Sequence, residues 1–346
     1  MTSAPAIETN GLTKRYRRQS GFKELIHLSL GPEILAVDGI TLTVLPKEIF
    51  GLLGPNGSGK TTLIKMLCTL LLPTAGKARI DGCDIVHDEY KVKRLIGLVA
   101  SDERSFYWRL TGRQNLHFFG TLYGLSPEEL RRRVGELLEM FDLTALADVR
   151  FNEYSAGMKQ KLAIARGMLH RPRVLFMDEP TKGLDPVSAK ELLALIRPRV
   201  VDLWGCTIVL ATHVLAEAEE LCDRVAILKE GRVLLSRTVA DLREGFSGHE
   251  DHVIKVQSLE DRHLPLFREI PGVVRCSTTA HRNGFMELEV RVRRDSSALP
   301  EMLTRIVHLN GKILGCERRG ASLESVFHAL MESGAPEPVS GEAGRC

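Results

Sequence analysis

Gly54-Pro55-Asn56-Gly57-Ser58-Gly59-Lys60-Thr61 is the stretch of this chain best equipped to hold an anion. It meets the spacing G-x-x-x-x-G-K-[ST] at every fixed position. An apolar run over 49–53 leads in as a buried strand, and 62–67 leads out as a helix starting at Thr62. The glycines let the backbone wrap an anion, with successive N–H groups aimed at phosphate oxygens. The positive end of the following helix adds attraction. Lys60 brings a point charge for the β and γ phosphates, and the Thr61 hydroxyl can ligate Mg²⁺. The pattern implies a nucleoside triphosphate and leaves the use of its energy open.

Further along, Val174-Leu175-Phe176-Met177 is an apolar run ending in Asp178-Glu179. A parallel strand buried on both faces has this composition. Ligands of open α/β sheets bind at the carboxyl ends of such strands. Asp178 is therefore a candidate to hold Mg²⁺ opposite Thr61, and Glu179 to orient or deprotonate an attacking water. The next buried strand, 207–212, ends at His213, which can donate a hydrogen bond to a γ-phosphate. Tyr16 closes a strand predicted over 7–16, beside Lys14, Arg15, Arg17 and Arg18. There it stacks on a base or simply packs.

These groups need a scaffold, and the chain is long enough for one. Its 346 residues suggest two domains or one large one. The net charge of +3 is small for that length and gives no argument for nucleic acid. The seven cysteines are scattered and form no C-x-x-C, which predicts reduced thiols and neither a disulfide framework nor a zinc site. The N-terminus has no secretory pattern, and the longest apolar stretch, 63–72, is too short to cross a bilayer. A helix over 21–30 is amphipathic and is read as capping its own sheet rather than meeting a membrane-bound partner. Strands are expected at 36–45, 78–80 and 96–99. Ser126-Pro127-Glu128-Glu129 is a helix start with Ser126 as cap. Arg131, Arg132 and Arg133 on that helix read as a solvated face.

Between the phosphate loop and Asp178 lies Tyr154-Ser155-Ala156-Gly157-Met158-Lys159-Gln160, opening a helix. It resembles the signature motif of ATP-binding-cassette (ABC) ATPases. Asp178-Glu179-Pro180-Thr181 resembles the Walker B segment of that family, Gly183-Leu184-Asp185-Pro186 its D-loop, and Ala211-Thr212-His213 its switch histidine. Tyr16 falls where the family places an adenine-stacking aromatic. The resemblance covers about 7–243 and implies a P-loop α/β domain with a mixed sheet and a helical subdomain. It implies a head-to-tail homodimer with ATP and Mg²⁺ between the protomers. Ser155, Ala156 and Gly157 of one protomer, with Asp185, would meet the nucleotide held by Lys60 of the other. Two departures stand out. Ala156 replaces the usual glycine. Ser101-Asp102 stands where the family has a glutamine, so Asp102 is the candidate metal ligand there. The next residues, Phe106-Tyr107-Trp108, fall in the region that receives a coupling helix of the membrane subunit, and Tyr107 and Trp108 are the expected anchors.

Beyond 243 the motifs stop. A linker at 245–249 precedes strands at 252–257, 273–279, 286–292 and 312–316, with helices at 259–269 and 297–309. The order β-α-β-β-α-β predicts a ferredoxin-like α+β domain over 244–332. The composition after 333 reads as a disordered tail. The expected protein is the ATPase subunit of an exporter, cytoplasmic and peripherally attached to the inner membrane through an integral membrane subunit. The rival readings are a soluble ATPase acting on nucleic acid or ribosomes, an importer ATPase, and a non-hydrolysing regulatory module.

Overall fold

The computed structural model describes residues 4–17, 33–100, 106–245, 249–282, 285–293 and 296–319, with 323–324, 327 and 330–331. The predicted helix at 21–30, the tail after 333, Ser101 and Asp102 lie outside the described residues. The chain divides into two compact units that part between Arg237 and Thr238.

Unit one carries two sheets. In chain order its strands are β1 (Ile7–Arg17), β2 (Glu33–Val44), β3 (Ile49–Leu53), β4 (Ala75–Ile80), β5 (Cys83–Asp84), β6 (Ile96–Val99), β7 (Val174–Asp178), β8 (Thr207–Thr212), β9 (Arg224–Lys229) and β10 (Arg232–Thr238). The first sheet has the order β2-β1-β4-β5 and is antiparallel. The second has the order β10-β9-β3-β8-β7-β6, and its pairs from β9 to β6 are parallel. Every residue of β3 and β8 is buried, as expected where both faces of a parallel sheet are covered. β2 instead alternates buried and exposed along its second half, the mark of a half-solvated strand.

The helices of this unit are α1 (Lys60–Leu67), α2 (Glu89–Leu95), α3 (Gly112–Leu122), α4 (Pro127–Met140), α5 (Ala156–Gly167), α6 (Pro186–Ile196) and α7 (Leu215–Leu221). α1 packs its Leu63, Ile64 and Met66 into a core shared with Ile7, Val37, Phe50, Phe176 and Val209. That core joins the two sheets. α3, α4 and α5 pack on one another as the helical subdomain. The cap of α4 is as predicted: Ser126 Oγ accepts from Glu129 N at 3.3 Å, and Pro127 opens the helix. In the arginine run, Arg131 and Arg132 are exposed as expected and Arg133 corrects the sequence reading. Arg133 is 2% exposed; it donates to the carbonyls of Leu169 (3.1 Å) and Met168 (2.5 Å) just beyond α5, and its guanidinium lies 3.5 Å from the Trp204 ring centre. A long cation can be buried when its donors are satisfied and an aromatic face receives it.

Unit two contains α8 (Val239–Gly245), β11 (His249–Gln257), α9 (Leu264–Arg268), β12 (Val273–Arg282), β13 (Phe285–Arg293), α10 (Ala298–His308) and β14 (Lys312–Arg319). Its antiparallel sheet has the order β12-β13-β11-β14, which is the split βαβ arrangement. Ile254, Met286, Leu288, Val290, Phe267, Met302 and Ile306 form its core. The helix expected over 259–269 is shorter than its pattern. Only Leu264–Arg268 is α-helical, behind a 3₁₀ turn at Asp261–His263.

Candidate nucleotide site

β3, β7 and β8 end side by side. Leu53 pairs with Thr212, and Asp178 pairs with Ala211. This register brings the phosphate loop, the Asp178-Glu179 pair and His213 to one edge, although they are far apart in sequence. The loop is built from positions that only glycine fills easily. Gly57 and Gly59 have φ of +81° and +103°. A Cβ on Gly59 would stand 2.5 Å from Ala36 O, and one on Gly54 would stand 2.4 Å from Leu228 O. Gly231, in the turn between β9 and β10, also backs onto Ala36 O, and its N–H donates to Ser58 O at 3.0 Å.

Lys60 opens α1 and is buried. Its Nζ donates to Gly54 O (2.6 Å) and Pro55 O (3.0 Å), which fold it over the loop. Burial pulls its pKa down, and the charges of Glu179 and Asp178 work against that. Thr61 Oγ1 donates to Asp178 Oδ2 at 2.8 Å. The other carboxylate oxygen, Asp178 Oδ1, is buried without a hydrogen-bond partner, and so is Ser58 Oγ. A buried oxygen left unpaired is costly unless a ligand uses it. Burial raises the pKa of Asp178, and Glu179 adds to the rise, against the lowering effects of Thr61 and Lys60. A hydroxyl and a carboxylate converging with one orphaned oxygen suit Mg²⁺, which keeps most of its shell as water and phosphate.

Glu179 has a φ of +51°, an uncommon conformation for a residue with a side chain. It lets Glu179 N donate to Ala211 O at 2.8 Å while the carboxylate turns to the edge. His213 Nδ1 lies 2.9 Å from Oε1, and Lys182 Nζ 3.3 Å from Oε2. Partial burial would raise the pKa of Glu179. The contacts with His213 and Lys182 outweigh it and hold the group below the ordinary glutamate range. Sequence reasoning misses Lys182 and also Glu217 on α7. The buried Glu217 accepts from Thr181 Oγ1 (2.5 Å) and Thr212 Oγ1 (2.9 Å), tying the segment after Glu179 to the end of β8. The spacing Thr212 to Glu217 is visible in the sequence, but it resembles any helix acid.

Ser155, Ala156 and Asp185 are elsewhere. Ser155 caps α5, accepting from Met158 N at 3.3 Å, and both Ser155 and Ala156 are exposed. Asp185 caps α6, accepting from Val187 N and Ser188 N at 3.0 Å each. The Ser188 contact leads in lowering its pKa. Gly157 faces α6 closely, since a Cβ there would lie 3.4 Å from Ser188 Cβ. None of the three bonds to the phosphate loop of its own chain among the described residues. Tyr16 is 39% exposed at the end of β1, with Lys14 Nζ 5.4 Å from its ring centre.

The aromatic run splits in two. Phe106 is core, stacked on Phe151 at 4.6 Å. Tyr107 and Trp108 are exposed, Trp108 at 64%. The backbone of Tyr107 is held by buried Asn115, which accepts from Tyr107 N at 2.9 Å and donates to Tyr107 O at 3.0 Å, and Trp108 O accepts from Asn152 N at 3.1 Å. Gln114 does not supply the missing glutamine, because its side chain closes the capping box of α3 on Thr111.

The ABC transporter family model matches residues 37–182. The daunorubicin/doxorubicin resistance ATP-binding protein of Streptomyces peucetius is 35% identical over 342 residues, 98% of this chain and 96% of that one. The chain belongs to the ATP-binding subunits of ABC transporters. Its activity is ATP hydrolysis coupled to transport, and its full-length match groups it with export-type subunits. Solved ABC structures agree in fold. A CbiO1 subunit from Clostridium perfringens, part of an ABC transporter complex, aligns with a TM-score of 0.61 at 28% identity, covering 70% of this chain and 92% of that one. A dimeric ATP-binding cassette in a post-hydrolysis state, with ADP and Pi, aligns at 0.56 and 26% identity over 67% of this chain and 98% of that one. No helix among the described residues is long and apolar enough to cross a membrane.

Proposed function

We propose that this ABC subunit hydrolyses ATP at the interface of a head-to-tail homodimer and drives export by a separate integral membrane subunit. The observation that carries the hydrolytic half is the edge where Thr61, Asp178, Glu179 and His213 meet. The loop N–H groups and Lys60 bind the β and γ phosphates, and Tyr16 receives the adenine. Thr61 and Asp178 hold Mg²⁺, which neutralises phosphate charge when bound. Glu179, kept ionised by His213 and Lys182, orients a water and accepts its proton as the oxygen attacks the γ-phosphorus; ADP leaves. Donation by His213 Nε2 to the transferring group, besides Nδ1–H to Glu179, requires the imidazolium form, which has a proton on each nitrogen. Ser155 and Gly157 of the second copy, at a helix N-terminus, close over the same phosphate.

Support for the dimer comes from the separation of the two half-sites and from the dimeric cassette that the chain resembles. The membrane partner docks on exposed Tyr107 and Trp108, which keeps the subunit peripherally attached at the cytoplasmic face of the inner membrane. The cargo class suggested by the full-length relative is a small drug-like compound. The test of the whole reading is Glu179→Gln: the variant binds ATP, stays dimeric with it by light scattering, and turns over far more slowly. A Gln variant with normal ATPase activity would falsify the assignment.

A further inference from the structure

A cavity of about 950 Å³ lies at the opposite edge of the sheet from the phosphate loop. Its wall includes Val174 and Thr207, the first residues of β7 and β8, whereas Asp178 and Thr212 end those strands at the nucleotide edge. It gathers segments just beyond the C-terminal ends of three helices. Asp142 and Arg171 come after α4 and α5, and Leu203 and Trp204 come after α6. Beyond α6 the backbone widens into a π-helical stretch, Arg197–Asp202, where Leu203 N donates to Pro198 O at 3.2 Å. Such widened turns are rare and concentrate at functional sites. This one ends in Leu203 and Trp204.

The charges here are unequal. Asp81 is paired with Arg173 and Asp142 with Arg199, each at 3.0 Å. Glu136 alone faces three guanidinium groups: Arg132 at 3.0 Å, Arg133 at 3.2 Å and Arg171 at 3.6 Å. Arg133 is buried against Trp204, and burial, then the charge of Arg171, brings its pKa down to about 10, so it stays charged at neutral pH. Arg132 lies outside the cavity wall, so within the wall Glu136 answers two arginines, Arg133 and Arg171, and one positive charge is left over next to an indole and the apolar side chains of Met140 and Leu203. The remaining charged residues of the wall, Lys47 and Glu139, offset each other in sign.

We infer that this cavity is an effector site for an aromatic anion, whose ring packs at Trp204 and whose acidic group takes Arg171. The effector role rests on the helices that end there. α5 and α6 begin at Ser155 and Asp185, so a ligand at their far ends bears on both caps.

The chain has two tryptophans, so Trp108→Phe leaves Trp204 as the sole indole reporter in the full-length protein. The aromatic anion anilinonaphthalene sulfonate is expected to quench Trp204 saturably, and the planar aromatic cation proflavine is not. Arg171→Glu, whose side chain is exposed enough to leave folding intact, should raise the Kd by about tenfold or more. Saturating anion should change ATP affinity of the unmodified chain by about fivefold or more, with Arg171→Glu unresponsive. Preference for proflavine, or quenching that survives Arg171→Glu, overturns the site. Saturable quenching with unchanged ATP affinity overturns the effector role.

Discussion

Lys60 and Ser155 are proposed to meet the same phosphate, yet they live in different surroundings. Lys60 is buried, bonded to its own loop, and flanked by groups from three strands that end together. Ser155 is exposed, and its hydroxyl accepts from Met158 N of its own helix. Asp185 repeats that pattern on α6. The first region is organised by long-range packing within one chain. The second is organised locally and presents a finished helix N-terminus to whatever comes next. On the proposed reading, a site divided this way does chemistry only when a second surface arrives, and assembly is then part of the catalytic cycle.

The sharpest way to break this comparison is at the buried half. Glu179→Gln removes the base and keeps the fold, and turnover is expected to fall on the order of 10²–10⁴. Single-turnover measurements with ATP binding monitored in parallel check this; a joint loss of binding would mean that Glu179 holds the loop rather than the water.

Next comes the exposed half. Ser155→Arg and Lys60→Ala should each be inactive alone. Mixed, they form a heterodimer with one intact shared site, and ATPase activity returns. Wild-type mixed with the double mutant gives heterodimers with no intact shared site. Activity in that second heterodimer, and none in the first, would place both halves of the site on one chain.

A smaller effect tests what holds the buried half in place. Glu217→Ala leaves the hydroxyls of Thr181 and Thr212 without their acceptor, at a cost of about 1–3 kcal/mol. The Tm should fall by several degrees, and turnover with it. An unchanged Tm would show that the two threonines find other partners.

The smallest stability effect belongs to Trp108→Ala. Its exposure predicts a change within about 0.5 kcal/mol, together with loss of co-purification with the membrane subunit. A large fall in Tm would return Trp108 to the core.

Legibility in the sequence divides along the same line. The phosphate loop, Asp178 and His213 are readable because each sits at the end of an apolar run whose burial is implied by composition. The cap Ser126 is readable because capping is local, whereas Ser155 and Asp185 stand in the sequence reading as nucleotide contacts and the structure gives them as caps. Glu217 is not readable, since its Thr181 partner is brought to it by how the segment after β7 lies against the end of β8, and Lys182 goes unread although its partner Glu179 is only three residues away. Arg133 misleads because an arginine run is ordinarily solvated. The carbonyls beyond α5, the face of Trp204 and the Glu136 carboxylate explain its burial. Phe106 and Trp108 are two residues apart with opposite environments, and composition alone does not separate them.

The turn at Gly231 has a consequence for how the protein is made. The phosphate loop occupies 54–61, but its shape depends on Leu228 O beside Gly54 and on Gly231 N–H donating to Ser58 O. β3 likewise pairs only with β8 and β9. As the chain leaves the ribosome, the loop emerges early and waits for partners from the far end of the unit. Contacts of such high sequence separation form late. Nascent chains that stop short of Gly231 should therefore fail to retain on immobilised ATP, and nucleotide affinity becomes a sign that synthesis of the first unit is complete.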